Sequence, residues 1–346
     1  MSGMVPETEN AKYSISEVAQ MAGVSPSTVS RAINGKKGVG SAQREKILRL
    51  VSELGYQPNS VSRGQEDAFA KNVALIVGDI RNPFYADLEY YIQETLRREG
   101  YQLMVFYSAY DADREVEILK MAQQYHFAGV IMVTAQSRQV EETLASYRNP
   151  TVLVNRNLPF YKGDSVLTDN FQAGYLASMH LIDLYHRHIG FVRGPQTSSA
   201  SSQRFTGYRQ ALSNFGLPLD EADIYDCNLE FESGRTCAEA FLQRPASKRP
   251  SAMIIANDIA AIGFMDVCRK SGLSIPEDLS IVSFDDIVYA SVEGIRLTSV
   301  SQHVDEMARE AARLMLKQLG GDTTHPERII ITPELMIRET TAQLNG

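Results

Sequence analysis

Ile15-Ser16-Glu17-Val18-Ala19-Gln20-Met21-Ala22-Gly23-Val24-Ser25-Pro26-Ser27-Thr28-Val29-Ser30-Arg31 reads as two short helices joined by a tight turn. Ile15, Val18, Ala19 and Ala22 fall three or four residues apart and form one apolar helical stripe. Gly23 supplies the left-handed backbone that ends a helix and opens a turn. Ser25 is a good N-cap and Pro26 suits a first helical position, so a second helix starts there. Val29 and Ile33, one turn apart, face back onto the first helix. Two helices joined in this way are a helix-turn-helix, whose second helix can enter the major groove of DNA. A plain helical hairpin in a small bundle would need the same stripes and cap.

Charge separates the two readings. From Lys12 to Arg63 there are eight basic residues (Lys12, Arg31, Lys36, Lys37, Arg44, Lys46, Arg49, Arg63) and three acidic ones (Glu17, Glu45, Glu53), a net +5. The whole chain carries −8, which leaves −13 on everything else. A basic head on an acidic body points to phosphate contact by the head alone.

Working outward, residues 1–11 read as a disordered tail and Gly35-Lys36-Lys37-Gly38 as a loop. Ser41 is expected to cap a third helix with Ile47, Leu50, Val51 and Leu54 on its inner face. Gly55 ends it, and Tyr56-Gln57-Pro58 leaves as extended chain, because the residue before proline is pushed out of helical space. The headpiece is therefore 12–58. The polar stretch 59–72 is a linker by composition.

From Val73 onward the texture changes to apolar runs alternating with amphipathic segments. Strands are predicted at 73–77, 102–106, 129–133 and 151–154, with helices near 84–99 and 112–125. The pattern restarts with a helix near 171–184. It continues through strands at 188–192, 223–225, 251–255 and 279–284, with helices near 202–214, 232–243 and 258–270 between them. A helix near 304–319 and a strand at 328–332 finish it. Such alternation builds parallel sheets covered on both faces. The predicted fold is thus an all-α headpiece plus an α/β core of two doubly wound parallel sheets over 73–346. Its N-lobe is about 73–169 plus 301–320, and its C-lobe about 170–300 plus 321–346. Two such lobes leave a cleft at the carboxyl ends of their strands, where open α/β sheets bind ligands.

At 346 residues the chain suggests two or three domains, and 44% hydrophobic with 22% charged residues is the balance of a soluble globular protein. No run of eighteen apolar residues and no apolar signal-peptide core occur, so no membrane span is predicted and a cytoplasmic location is expected. Cys227, Cys237 and Cys268 are odd in number and lack metal-ligand spacing, which reads as reduced core thiols. The six histidines are scattered, and His186 with His188 alone would not complete a metal site. There is no Gly-x-Gly-x-x-Gly, P-loop, His-Glu-x-x-His or Gly-x-Ser-x-Gly, so neither an enzyme nor a cofactor is expected.

Several motifs carry a resemblance over nearly the full length beyond residue 12. They are Ile15-x-x-Val-Ala-x-x-Ala-Gly-Val-Ser-x-x-Thr-Val-Ser-Arg31, Gly55-Tyr-x-Pro-Asn59, Asn82-Pro-Phe-Tyr85, Arg204-x-x-Gly-Tyr208, Asn257-Asp258 and Pro276-Glu-Asp-Leu-Ser-Ile-Val-Ser-Phe-Asp285. With them the chain resembles the lactose-repressor (LacI/GalR) family of bacterial transcription regulators. The resemblance implies a headpiece, a hinge and a two-lobed effector core like a periplasmic sugar-binding protein. It also implies a homodimer, or a pair of dimers, on a near-palindromic double-stranded operator.

Base-reading positions of the family match Pro26 and Ser27, with Arg31 one turn on. A serine hydroxyl pairs with several bases and specifies weakly, whereas Arg31 can take a guanine or a phosphate. The resemblance extends DNA contact to Ser16, Ser25, Thr28, Ser30 and Asn34, and beyond the helices to Tyr56, Asn59, Val61 and Arg63. The hinge departs from the family pattern. A leucine that wedges into the minor groove is replaced by Gln65, followed by Glu66-Asp67. Glutamine is a poor wedge and two carboxylates repel phosphate. Either the hinge grips DNA differently, or the register shifts and Val61 or Phe69 supplies the apolar contact.

For the effector, the matching positions are Asn82, Phe84 and Tyr85 after the first strand and Asn155-Arg156 after the fourth. In the second half they are Arg204, Phe231, Asn257, Phe284, Asp285 and Gln302, with Leu229 as a further apolar wall. Most follow strand carboxyl ends. Aromatic faces with convergent amides and opposite charges suit a small carbohydrate. Each also has a structural alternative as a cap, a packing ring or a salt-bridge partner. The competing readings are a cytoplasmic sugar-binding protein and a regulator answering a purine or a phosphoprotein.

Overall fold

The computed structural model describes residues 15–33, 36, 38–54 and 69–344, in two compact units that divide between residues 68 and 69. The expected contacts at Asn34, Tyr56, Asn59, Val61 and Arg63, and the Gln65-Glu66-Asp67 hinge, lie outside the described residues.

The first unit holds α1 (Ile15–Ala22), α2 (Pro26–Ile33) and α3 (Ser41–Glu53). Val18, Ala19, Val29, Ala32 and Ile47 are buried together, with Ile33, Leu50, Val51 and Leu54 packed around them. Gly23 has φ +65°, and the amides of Gly23 and Val24 return to the carbonyls of Gln20 and Ala19. That is the predicted left-handed helix stop. Ser41 does not cap α3. Gly40 holds that place in extended backbone and its carbonyl accepts from Arg44 N, so Ser41 is already inside the helix.

The second unit runs β1 (Asn72–Val77), α4 (Pro83–Arg98), β2 (Gln102–Tyr107), α5 (Ala112–Gln124), β3 (Gly129–Met132), α6 (Arg138–Ser146), β4 (Thr151–Val154) and β5 (Asp164–Thr168). It continues with α7 (Asn170–Asp183), β6 (Ile189–Arg193), α8 (Ser199–Asn214), β7 (Ile224–Asp226), α9 (Phe231–Gln243), β8 (Ala252–Ile255), α10 (Asp258–Lys270) and β9 (Ser280–Asp285). The last elements are β10 (Thr298–Ser301), α11 (Val304–Leu319), β11 (Arg328–Ile331) and β12 (Glu334–Met336).

These strands form two six-stranded sheets, β11-β5-β4-β3-β1-β2 and β12-β10-β9-β8-β6-β7. All pairs are parallel except β10 with β12. Helix α11 returns to the first sheet, and Met307, Ala311 and Met315 join Leu88, Ile92 and Leu96 of α4 in one core. β11 also belongs to the first sheet, where Arg328–Ile331 pairs with Ser165–Thr168. The second-lobe boundary expected at 321 therefore moves to the β11–β12 junction. Apolar periodicity finds a strand but does not say which sheet receives it.

The chain thus crosses between lobes three times, at β5 to α7, at β10 to α11 and at β11 to β12. Two of these crossovers carry Asn170 and Gln302; Gln302 lines the cleft, and Asn170 bonds to Asn155 and Arg204, which line it. In the second lobe α7 and α8 cross where Gly174 and Gly207 let backbone meet backbone, which fixes the position of Arg204. The three cysteines are buried and free, and burial pushes their thiols up, Cys227 to about 12. No described helix is long and apolar enough to cross a membrane.

Candidate functional site

A small cavity of about 40 Å³ lies between the two lobes of the second unit, at the carboxyl ends of both sheets. Nine of the predicted residues line it: Asn82, Phe84, Tyr85, Asn155, Arg156, Arg204, Asn257, Asp285 and Gln302. Leu229 lines it as well. Phe231 and Phe284 do not. Phe231 begins α9 with its carbonyl against Gly263 and its ring under Arg235. Phe284 is fully buried beneath the site, with the Arg204 guanidinium 4.6 Å from its ring centroid.

A hydrogen-bonded chain joins the lobes across the cavity floor. Asn155 Nδ2 donates to Gln302 Oε1 at 2.6 Å, and Thr168 Oγ1 donates to the same oxygen at 3.1 Å. Gln302 Nε2 donates to Asp285 Oδ1 at 2.6 Å. Asn170 Nδ2 donates to Asn155 Oδ1 at 3.1 Å, while its own oxygen accepts from Arg204 Nε at 2.8 Å. Arg204 Nη1 donates to the carbonyl of Ala256 at 2.9 Å and stands 3.7 Å from Asp285 Oδ1. Both charged partners are below a tenth exposed. Burial pulls the Arg204 guanidinium below its usual value while Asp285 holds it up. Burial pushes the Asp285 carboxyl up, against the opposing pull of Arg204.

Local backbone aims these groups. Asn155 (φ 52°), Leu229 (φ 64°), Asp285 (φ 109°) and Tyr110 (φ 58°) all hold left-handed conformations around the one cavity. Strain of about 1–3 kcal/mol per residue of this kind concentrates at binding sites. Asn82 caps α4 through Phe84 N at 3.0 Å, and its side chain also favours the charged form of Asp285. Asn257 caps α10 through Ala260 N and donates to the carbonyl of Leu229 at 3.0 Å. Its neighbour Asp258 turns away from the cavity. It accepts from Ser283, Ser299 and Ile287 N, tying α10 to β9 and β10, and burial together with Asp285 raises its carboxyl.

Sequence reasoning missed Tyr110, Ser198 and Ser201, which also line the cavity. The Tyr110 hydroxyl lies 2.9 Å from that of Tyr85. The rule that located Arg204, proximity to a strand's carboxyl end, applies equally to these three, but they lie in no motif. At the mouth, Arg81 reaches Glu230 across the lobes at 3.3 Å, and Asn157 N donates to Ser199 Oγ at 3.0 Å.

Elsewhere His188, Asp220 and Asp223 bring three ligand atoms within 4.8 Å of one another. Arg244 already sits there, 2.5 Å from Asp223 and 3.5 Å from Asp220. Its fixed positive charge supplies what a cation would.

In the first unit, Pro26, Ser27 and Arg31 are exposed on α2, opposite the buried Val29 and Ala32. Thr28 and Ser30 are half-buried at the edge of that face, and Ser16 is exposed on α1. Ser25 precedes α2, its hydroxyl 2.8 Å from that of Ser27 and 2.9 Å from that of Thr28. Ser27 and Arg31, four residues apart, lie on one helical surface.

A family model for bacterial regulatory proteins of the lacI family matches residues 14–59, and one for a periplasmic binding protein-like domain matches 179–341. The HTH-type transcriptional regulator DegA of Bacillus subtilis (strain 168) is 32% identical over 338 residues, covering 96% of this chain and 99% of DegA. A solved transcriptional regulator CelR–cellobiose complex matches with a TM-score of 0.71 at 31% identity, over 95% of this chain and all of that one. A LacI family regulator from Enterococcus faecium with bound ribose matches with a TM-score of 0.70 at 25% identity, over 80% of this chain and 100% of that one. Helix-turn-helix, two-sheet core and full-length similarity agree: the chain belongs to the LacI family of DNA-binding transcriptional regulators, which are not enzymes.

Proposed function

We propose that this protein is a repressor whose operator affinity is set by a small carbohydrate held between the two lobes, and that it acts as a homodimer on a near-palindromic operator. The observation that carries the reading is the chain Asn155–Gln302–Asp285–Arg204, which joins one lobe to the other through a crossover residue and lines the cavity. A ligand bonding to several of its members draws on groups from both lobes and so favours one lobe arrangement over another. Amides, a carboxylate and guanidinia match sugar hydroxyls, and Phe84 and Tyr85 offer ring faces to a sugar's C–H side. The cellobiose and ribose complexes of the two relatives above support a sugar as the ligand class. A cytoplasmic setting follows from the DNA-binding role.

The test is binding to the protein's own promoter DNA with and without pentoses, hexoses and disaccharides. Failure to retard any such DNA, or indifference to every sugar that binds, contradicts the proposal. On the DNA side, Arg31→Ala should cost about 1–3 kcal/mol of operator affinity, roughly five- to 150-fold. Fluorescence anisotropy at fixed salt reads it, and an unchanged affinity would remove Arg31 from the interface. In the hinge, Gln65→Leu should tighten operator binding if an apolar wedge there enters the minor groove. An unchanged dissociation constant would mean this hinge holds DNA without that wedge.

A further inference from the structure

The cavity is not balanced in charge, and the imbalance sits on one residue. Arg204 faces Asp285 and is further hydrogen-bonded to Asn170 and Ala256, so that pair is internally neutral. Arg156 has no such partner. It is 5% exposed and lines the cavity. Its Nη1 donates 2.7 Å to the carbonyl of Asn155, whose left-handed backbone turns the chain just after β4. Its Nε is buried with no hydrogen-bond partner. Among the described residues, no carboxylate oxygen lies within 4.0 Å of this guanidinium.

Two carboxyl groups feel its charge, and neither comes within 4.0 Å of it, although Glu115 Oε2 is itself buried without a hydrogen-bond partner. Asp285 belongs to Arg204 and Gln302. Glu115 lies outside the cavity lining, fully buried; burial raises it toward its neutral form, and Ser108 Oγ donates to it at 3.4 Å. A buried guanidinium with an open donor is costly unless an anion meets it. Nε with Nη2 forms the edge of arginine that takes a carboxylate or phosphate by two parallel bonds. A neutral hydroxyl offers only a dipole in that place.

We infer that the natural effector is a small carbohydrate carrying an acidic group, and that Arg156 selects it by binding the oxyanion. The inference rests on the carbohydrate reading and narrows it. The acidic group sits at Arg156, and the hydroxyl-bearing end faces Asp285, Arg204 and Asn257 on the other lobe.

Isothermal titration of the full-length protein tests this with hexuronates, aldonates and hexose 6-phosphates beside their neutral parents. One acidic class should bind about 100-fold or more tightly than its neutral parent, and whether carboxylates or phosphates do so identifies the oxyanion. Arg156→Gln should lower that affinity by about 100-fold and erase the preference for acid, while Arg156→Lys restores part of it. A melting curve on each variant verifies folding, and the lysine variant carries the comparison if the glutamine one does not fold. A neutral sugar binding as tightly as its acid, unaffected by Arg156→Gln, overturns the inference and leaves the carbohydrate reading standing. Binding of a purine base with no response to any sugar overturns both.

Discussion

Arg204→Ala should weaken effector binding by about 100-fold or more and abolish the effector's influence on operator affinity, while effector-free operator binding persists. The substitution removes the donors to Asn170 and Ala256, the cation over Phe284 and the partner of Asp285. What remains is a buried carboxylate without its counter-charge, a defect that costs about 3–5 kcal/mol of core stability. Burial already raises Asp285, and loss of Arg204 raises it further, so the group meets the defect by taking up a proton. Asp285→Asn tests the other partner. It keeps the shape and the contact to Gln302 but leaves the buried Arg204 guanidinium without its counter-charge, so it should lower stability by a similar amount and lose most of the effector response. Isothermal titration with operator anisotropy reads both variants. Equal loss of effector response and effector-free DNA binding would mean the pair only holds the fold.

Gly207→Ala should lower the melting temperature of the core by about 5–10 °C, from an overpacking cost of about 2–3 kcal/mol. A Cβ at Gly207 would lie 2.1 Å from the carbonyl oxygen of Phe171 and 2.7 Å from the amide of Tyr175. Both obstacles are backbone, which cannot rotate aside, so α7 and α8 must separate. The contact is reciprocal, since a Cβ at Gly174 would lie 2.0 Å from the carbonyl oxygen of Arg204. Separation therefore also moves Arg204 relative to Asp285, and effector affinity should fall along with stability. Scanning fluorimetry gives the first effect and titration the second. A melting temperature unchanged within a degree would show that the helices yield at no cost.

The sequence was most informative where local chemistry is self-sufficient. The stripe of Val18 and Ala19, the stop at Gly23 and the start at Pro26 each act within a few residues, and all stand as read. The buried strands were legible for the same reason, because runs such as Val73-Ala-Leu-Ile-Val77 have no other use. Three strands with polar ends were not. Asp164–Thr168, Thr298–Ser301 and Glu334–Met336 begin or end in polar residues and carry no clear alternation, and the sheet that receives Arg328–Ile331 is decided by tertiary pairing alone. At the site, motif positions located most of the cavity wall. The charge balance was out of reach, because it depends on Arg204 and Asp285, eighty-one residues apart, finding each other and leaving Arg156 without a counter-ion.

The most direct measurement is a linked titration of full-length protein, promoter DNA and sugar by fluorescence anisotropy and calorimetry. The account predicts that a sugar binding in the cleft changes operator affinity by about tenfold or more, and that operator DNA changes the affinity for that sugar by the same factor. Sugar binding in the cleft that leaves operator affinity unmoved would contradict it.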